Sequence, residues 1–199
     1  MDVQQTRFSA QEIAALARRI DRPIVLVGMM GVGKSSVGKR LASLLDCPFV
    51  DADDEIERSA QMTIPEIFDT FGEAYFRDGE RRVIARLMAE RDAAGNRDGS
   101  NRIVIATGGG AFCNPQTRAL ILEKAITVWL DSDVDTLVER TARKDNRPLL
   151  RSGSPREILG RLRDERASDY ALAPIHVLSS SGPHVQTINK VLQEISRWL

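Results

Sequence analysis

Eight consecutive residues have the types and spacing of a phosphate-binding loop. Gly28-Met29-Met30-Gly31-Val32-Gly33-Lys34-Ser35 matches the pattern GxxxxGK[ST], after an apolar run and before a helical pattern. Glycines let the backbone curl so that successive N–H groups point at phosphate oxygens, and the helix adds its positive dipole end. In this pattern Lys34 reaches the β- and γ-phosphates and the Ser35 hydroxyl ligates Mg²⁺. The sequence therefore predicts an ATP site that includes Gly31, Val32, Gly33, Lys34, Ser35 and Ser36.

Two acids follow the next apolar run. Asp51 and Asp53 lie in Phe49-Val50-Asp51-Ala52-Asp53-Asp54, and alternate residues at a strand end lie on the same side. They can therefore face one site, near the phosphate loop if the two strands are neighbours. One carboxylate could organise Mg²⁺ and its waters, and the other could take the proton of a substrate hydroxyl during phosphoryl transfer. Helix capping is the alternative for Asp53, because it precedes a helical stretch and acids favour first turns.

Strands and helices alternate along the chain and must position these residues. Short apolar runs predict five strands, at Ile24–Val27, Phe49–Val50, Ile103–Ala106, Ala125–Leu130 and His176–Leu178. One helical pattern follows the phosphate loop and ends at Leu45. Others cover Ala10–Arg19, which a Ser9/Glu12 capping box opens, Ile64–Phe71, Glu73–Glu90 and Val185–Leu199. The polar segment Asp92–Asn101 predicts an exposed loop. This alternation is typical of βαβ units, and it predicts a single α/β domain of three layers around a central five-stranded parallel sheet. Its chemistry should lie at the carboxyl ends of the strands.

Composition excludes several classes of protein. The chain has 199 residues, with 28 Lys plus Arg and 28 Asp plus Glu, and this balance argues against binding nucleic acid or an anionic membrane through bulk charge. No apolar run approaches the length of a membrane span. Cys47 and Cys113 are predicted to be thiols of a reduced, cytoplasmic protein. His176 and His184 are expected to be packing and surface residues. We also expect a monomer, with residues 1–22 as a helical extension packed on a domain at 23–199.

Six short blocks in order resemble the shikimate kinase family. That family is recognised by GxxGxGKS, D-x-D, F-R-x-x-E, GGG, R-P-L-L and R-x-P-L-Y. This chain has GMMGVGKS at 28–35, Asp51-Ala52-Asp53, Phe76-Arg77-Asp78-Gly79-Glu80, Gly108-Gly109-Gly110, Arg147-Pro148-Leu149-Leu150 and Arg166-Ala167-Ser168-Asp169-Tyr170. The triple glycine and RPLL are weak signals alone, but the combination with the phosphate loop is highly specific.

The resemblance implies a role for each matching residue. Asp53 would bind substrate hydroxyls and act as the base, and Asp51 would support Mg²⁺ through water. Arg77 and Arg166 would pair with the carboxylate of shikimate, as planar guanidinium groups do well. The resemblance further implies that Glu80, Gly109 and Gly110 contact the substrate. Arg140 would stack on adenine, and Arg147 would reach the transferring phosphate. The substrate region would span about 53–90, and a mobile lid about 143–155 would exclude water.

The implied reaction is ATP plus shikimate giving shikimate 3-phosphate and ADP, a step toward chorismate and the aromatic amino acids. From the residues alone, the sequence indicates only a small-molecule kinase with a phosphate loop. A gluconate-type or nucleoside monophosphate kinase, and a non-catalytic sensor of shikimate, are the alternatives; the Phe76-Arg77…Glu80 block and the triple glycine argue against the other kinases. One departure from the family is Asp169, which brings a charge close to Arg166 where the family usually has leucine.

Overall fold

A five-stranded parallel sheet is the centre of the fold. The computed structural model describes residues 8–94, 101–142, 148–150, 153–179 and 184–199. The strands lie in the order β2-β3-β1-β4-β5, and every neighbouring pair is parallel. They are β1 (Ile24–Val27), β2 (Phe49–Asp51), β3 (Val104–Ala106), β4 (Ile126–Asp131) and β5 (Ile175–Leu178). The predicted α/β fold with five parallel strands is confirmed.

Helices connect and cover the strands. Within the described residues they are α1 (Ala10–Arg19), α2 (Lys34–Leu44), α3 (Ala52–Ala60), α4 (Ile64–Ala94), α5 (Pro115–Lys124), α6 (Val134–Thr141), α7 (Pro155–Tyr170) and α8 (His184–Trp198). Short 3-10 turns occur at Ala111–Cys113 and Pro148–Leu150. Helix α2 packs on β3 and α8, and α5 packs on β4 and α4. All four residues of β1 are fully buried, which explains its uninterrupted apolar run.

Helix α4 has a break where the sequence pattern changes. Gly72 has φ 80° and ψ 173°, so it separates the two helical segments that the sequence predicts at Ile64–Phe71 and Glu73–Glu90. The second segment runs on to Ala94, so the expectation of a loop from Asp92 is wrong for residues 92–94. Residues 95–100 of that predicted loop lie outside the described residues.

The N-terminal helix forms as predicted and is tied to the sheet. Ser9 and Glu12 make the reciprocal bonds of a capping box, which satisfy backbone donors at the start of α1. At the other end, Arg102 Nη1 donates to the Ala17 carbonyl at 2.7 Å. Leu16 and Ile20 are buried in the same core as the strands. Across the described residues, no helix has both the length and the apolar character that a membrane crossing requires.

Candidate active site

The phosphate loop joins β1 to α2 in a conformation that only glycine adopts easily. Gly28, Gly31 and Gly33 have φ values of 134°, 84° and 101°. Gly33 is the N-cap of α2 and supplies no side-chain capping bond, so the N–H groups of the first turn of α2 remain directed at the loop. A ring of backbone donors at a helix N-terminus is suited to a phosphate group.

Lys34 supplies the positive charge of this loop. Its side chain is almost fully buried, with 8% exposure, and Nζ donates to the carbonyls of Gly28 at 2.7 Å and Met29 at 2.9 Å. The ammonium therefore lies over the concave side of the loop. Ser35 follows in the first turn of α2, half-buried, while Ser36 is exposed in the same turn.

Ser35 connects the loop to the acids after β2. Its hydroxyl donates to Asp51 Oδ2 at 2.6 Å, and Asp51 Oδ1 accepts from the backbone N–H of Asp53 at 3.1 Å. Asp51 is thus both the last residue of β2 and the N-cap of α3. Asp53 lies in the first turn of α3, so the expectation that strand alternation aligns the two acids is wrong. A helix turn brings them to the same cavity instead.

Strand β2, which ends at Asp51, is not a neighbour of β1, because β3 lies between them. The sequence argument placed the acids near the phosphate loop on the condition that the two strands are adjacent. That condition fails. The contact between Ser35 and Asp51 is made by α2, whose first turn reaches β2 and whose body packs on β3.

Arg77 is held on α4 by two carboxylates. Its guanidinium donates to Glu80 Oε2 at 2.9 Å and to Glu73 Oε1 at 3.0 Å. Burial by itself would lower the pKa of Arg77, but the charges and hydrogen bonds of Glu80 and Glu73 outweigh it and raise the pKa. Arg77 therefore stays cationic while it is half-buried against the ring of Phe76.

Glu80 is the most buried acid of the site, with 2% exposure. Burial raises the pKa of its carboxyl, while the charges of Arg77, Arg166 and Lys34 act in the opposite direction. Its Oε2 accepts from Arg77, whereas Oε1 has no hydrogen-bond partner among the described residues. A desolvated carboxylate oxygen of this kind is costly unless a ligand or water donates to it.

The triple glycine after β3 is required by close contacts with these side chains. A Cβ on Gly108 would overlap Glu80 Oε1 and lie 2.8 Å from Asp53 Oδ1, and a Cβ on Gly110 would lie 2.7 Å from the Arg77 guanidinium carbon. Contacts below about 3.5 Å between such atoms are repulsive. The glycines at 108 and 110 therefore make room for the acid and the arginine.

Arg166 approaches the same turn from α7. Its Nη1 donates to the Gly109 carbonyl at 3.0 Å, and the buried Tyr170 hydroxyl donates to that carbonyl too. Burial raises the pKa of Tyr170, so the phenol remains a neutral donor. Arg166 and Arg77 consequently reach the glycine turn from two different helices.

One cavity of about 210 Å³ collects most of the predicted site. Its wall includes Ser35, Asp51, Asp53, Arg77, Glu80, Gly108, Gly109, Gly110 and Arg166. Several further residues line the cavity although the sequence predicts no role for them, namely Met30, Asp54, Glu57, Ile64, Phe68 and Leu149. Leu149 belongs to the RPLL block and Phe76 to the Phe-Arg block, so their motifs pointed to the site. Met30 likewise belongs to the phosphate-loop motif, whereas Ile64 and Phe68 are ordinary apolar residues of α4 that no spacing marks.

Of the two arginines predicted to bind the nucleotide, the structure describes Arg140 alone. Arg140, in the last turn of α6, donates to the Val32 carbonyl at 3.0 Å and to Ser179 Oγ at 3.3 Å, so it lies against the phosphate loop rather than in the cavity. Arg147 lies outside the described residues. Of the predicted lid at 143–155, the structure describes the 3-10 turn Pro148–Leu150, through which Leu149 reaches the cavity, and residues 153–155.

With this geometry in place, comparison with known proteins decides the family. The family model for shikimate kinase matches residues 30–196. The chain belongs to the shikimate kinase family. A shikimate kinase from Novosphingobium aromaticivorans is 63% identical over the full length of both chains. One from Rhodopseudomonas palustris is 47% identical over 96% of this chain and 89% of its own.

Solved structures agree with this membership. A shikimate kinase from Acinetobacter baumannii in complex with shikimate is 33% identical, with a TM-score of 0.80 over 91% of this chain and 97% of its own. A gluconokinase from Sinorhizobium meliloti is 18% identical with a TM-score of 0.54, and that likeness shows the fold alone. The resemblance to shikimate kinases inferred from six short motifs is therefore confirmed.

Proposed function

We propose that this shikimate kinase homologue transfers the γ-phosphate of ATP to the 3-hydroxyl of shikimate, giving shikimate 3-phosphate and ADP. The observation that carries the proposal is the continuity of a single cavity, which runs from Ser35 and Asp53 to Arg77 and Arg166. Phosphate chemistry belongs at the first end and carboxylate recognition at the second. The family membership established above supports the same acceptor.

Two guanidinium groups suit the carboxylate of the acceptor. Arg77 and Arg166 come from separate helices and approach the same glycine turn, so a planar carboxylate between them would accept hydrogen bonds from both. Glu80 keeps Arg77 oriented through the bond at 2.9 Å. The second Glu80 oxygen faces Gly108 and is available to a hydroxyl donor of the substrate ring.

Asp53 is our candidate for the group that aligns the reacting hydroxyl and accepts its proton. It lies in the cavity beside Gly108, and the Ser35–Asp51 pair connects it to the phosphate loop. Lys34 would stabilise charge on the transferring phosphate. Such catalysis rests on positioning and charge stabilisation, because phosphoryl transfer demands little covalent chemistry from the protein. We assign Arg147, from the lid, the same stabilisation of charge on the transferring phosphate. We assign Arg140 the role of stacking on adenine.

The oxygens next to the phosphate loop fit a magnesium ion that accompanies ATP. The Ser35 hydroxyl and the Asp51 carboxylate lie 2.6 Å apart, and Mg²⁺ prefers such hard oxygen donors together with phosphate oxygens and waters. Ser35 would ligate the ion and Asp51 would hold one of its waters. The ion would neutralise charge between the β- and γ-phosphates. In the described part of the chain, no cluster of three or more His, Cys, Asp or Glu side chains is arranged around a metal site.

We also propose that the chain acts as a monomer in the cytoplasm. Cys47 and Cys113 are both thiols, as expected in a reducing compartment.

The test is release of ADP by purified protein with Mg²⁺-ATP, coupled to NADH oxidation, with shikimate, quinate, gluconate or AMP as acceptor. Shikimate should exceed every other acceptor by at least about a hundredfold in kcat/KM, because a site built for a particular hydrogen-bonded group rejects analogues strongly. Turnover only with gluconate or AMP would overturn the proposal. ATP binding without turnover of any acceptor would favour a sensor of shikimate instead.

A further inference from the structure

Asp169 stands one helical turn from Arg166 on α7. Residues three apart on a helix are surface neighbours, and opposite charges at that spacing attract each other. An ion pair between these two side chains would draw the Arg166 guanidinium away from the cavity. Shikimate kinases usually have leucine where this chain has Asp169, so the charge creates a difficulty that the usual motif does not have.

Arg118 of α5 forms an ion pair with the Asp169 carboxylate. Its Nη1 donates to Asp169 Oδ1 at 2.9 Å, across 51 positions of sequence, and both side chains are largely buried, with 17% and 29% exposure. The same nitrogen donates to the carbonyls of Phe112 at 3.0 Å and Cys113 at 3.3 Å. One guanidinium therefore ties α7 to the turn that follows the triple glycine.

The Arg166 guanidinium is directed at the glycine turn. Its Nη1 bonds the Gly109 carbonyl at 3.0 Å, and its side chain lines the cavity. The Cys113 thiol also bonds the Asp169 carboxylate, but burial raises the pKa of this thiol to about 11, so it brings no charge of its own. In this cluster Arg118 is the cation in direct contact with Asp169, while the charge of Arg166 acts on the Cys113 thiol nearby.

We propose that Arg118 is a positioning residue for substrate binding: it sequesters Asp169, and so keeps the Arg166 guanidinium on the glycine turn and available to the carboxylate of shikimate. The inference rests on the proposed function. It differs from a purely structural role, in which Arg118 would simply brace the turn at 111–113 through its two carbonyl bonds.

The two roles predict opposite results for a double variant. Arg118→Gln should raise the KM for shikimate about tenfold, the worth of one charge-assisted hydrogen bond, with kcat and the KM for ATP within about twofold of the original. Asp169→Asn alone should change none of the three constants by more than about twofold. Arg118→Gln combined with Asp169→Asn should return the KM for shikimate to within about threefold of the original value, because the competing charge is gone.

A matched control is Arg161→Gln, which removes an exposed arginine from α7, the helix of Arg166 and Asp169, and should leave the KM for shikimate unchanged. Melting temperatures are recorded for each variant. If Arg118→Gln does not fold, Arg118→Met replaces it in the single and double variants, since an unbranched apolar side chain can fill the same path.

A double variant as impaired as Arg118→Gln would overturn the proposal and leave a bracing role for Arg118. An unchanged KM in Arg118→Gln would also overturn it. Failure of the proposed function would look different, because the unaltered protein would then show no turnover of shikimate at all.

Discussion

Replacing Gly108 with alanine adds one methyl group to the most crowded point of the site. That carbon would overlap Glu80 Oε1, and it would lie 2.8 Å from Asp53 Oδ1 and 3.5 Å from the Glu80 carboxyl carbon. Glu80 Oε1 would have to retreat by about 1 Å, and Asp53 Oδ1 by about 0.6 Å, to reach ordinary contact distances. Glu80 has little room to do so, because only 2% of it is exposed and the Arg77 guanidinium lies 2.9 Å from its other oxygen.

The size of the effect follows from what the displacement breaks. Loss of the Glu80–Arg77 bond removes a charged hydrogen bond worth about 1.5–3 kcal/mol, which corresponds to about 10- to 150-fold in substrate affinity. The smaller displacement of Asp53, about 0.6 Å, would in addition lower kcat, since misplacement by about 1 Å can cost a hundredfold in rate. We therefore expect Gly108→Ala to lower kcat/KM for shikimate at least about a hundredfold while the KM for ATP stays within about threefold.

Gly79→Ala is the matched control on the same helix as Arg77 and Glu80. No described atom lies within 4 Å of a Cβ at Gly79, so alanine should add about 0.5–1 kcal/mol of helix stability and leave the kinetics unchanged. Steady-state ADP release over a matrix of shikimate and ATP concentrations measures kcat and the KM values for shikimate and for ATP. If Gly108→Ala and Gly79→Ala gave the same kcat/KM for shikimate, the crowding argument would be refuted.

Three further substitutions probe single groups. Asp53→Asn should lower kcat at least about a hundredfold while ATP binding, measured by calorimetry, persists; near-normal turnover would remove Asp53 from the mechanism. Lys34→Met should weaken ATP binding and lower kcat with shikimate affinity intact, and an unchanged kcat would contradict its role on the transferring phosphate. Glu80→Gln should alter the dependence of melting temperature on pH. Burial raises the pKa of Glu80, so the contribution of this carboxyl to stability is fully present below its ordinary pKa of 4.5. That contribution is lost as the pH rises through the raised pKa. The variant should lack that decline, and a profile identical to that of the original protein would show that Glu80 is not the group responsible.

Local signals in the sequence were sufficient to predict the sheet and the phosphate loop. Ile24–Val27 is apolar throughout because both faces of β1 are covered, and the glycines that follow it mark the positive φ values of the loop. The break at Gly72 was likewise visible as a change between two helical patterns. Such features depend on residues close together in the chain, so a single sequence carries them.

Contacts between distant segments could not be predicted in the same way. The sequence placed Asp51 and Asp53 together, but on a strand, whereas Asp51 caps α3 and Asp53 belongs to its first turn. The sequence indicated that Asp169 brings a charge close to Arg166, but it did not indicate that Arg118, 51 positions earlier, binds this carboxylate. Arg118 lies on a helix with no motif around it, so only the packing of α5 against the turn at 111–113 reveals its part.

The central claim is that Arg77 and Arg166 read a carboxylate on the molecule that is phosphorylated. The most direct test compares kcat/KM for shikimate and for its methyl ester, in the original protein and in Arg77→Met. The original protein should prefer the acid at least about a hundredfold, and Arg77→Met should reduce this preference at least about tenfold because one of the two charged partners is gone. The same ratio of acid to ester in both proteins would contradict it, since the carboxylate would then be recognised elsewhere.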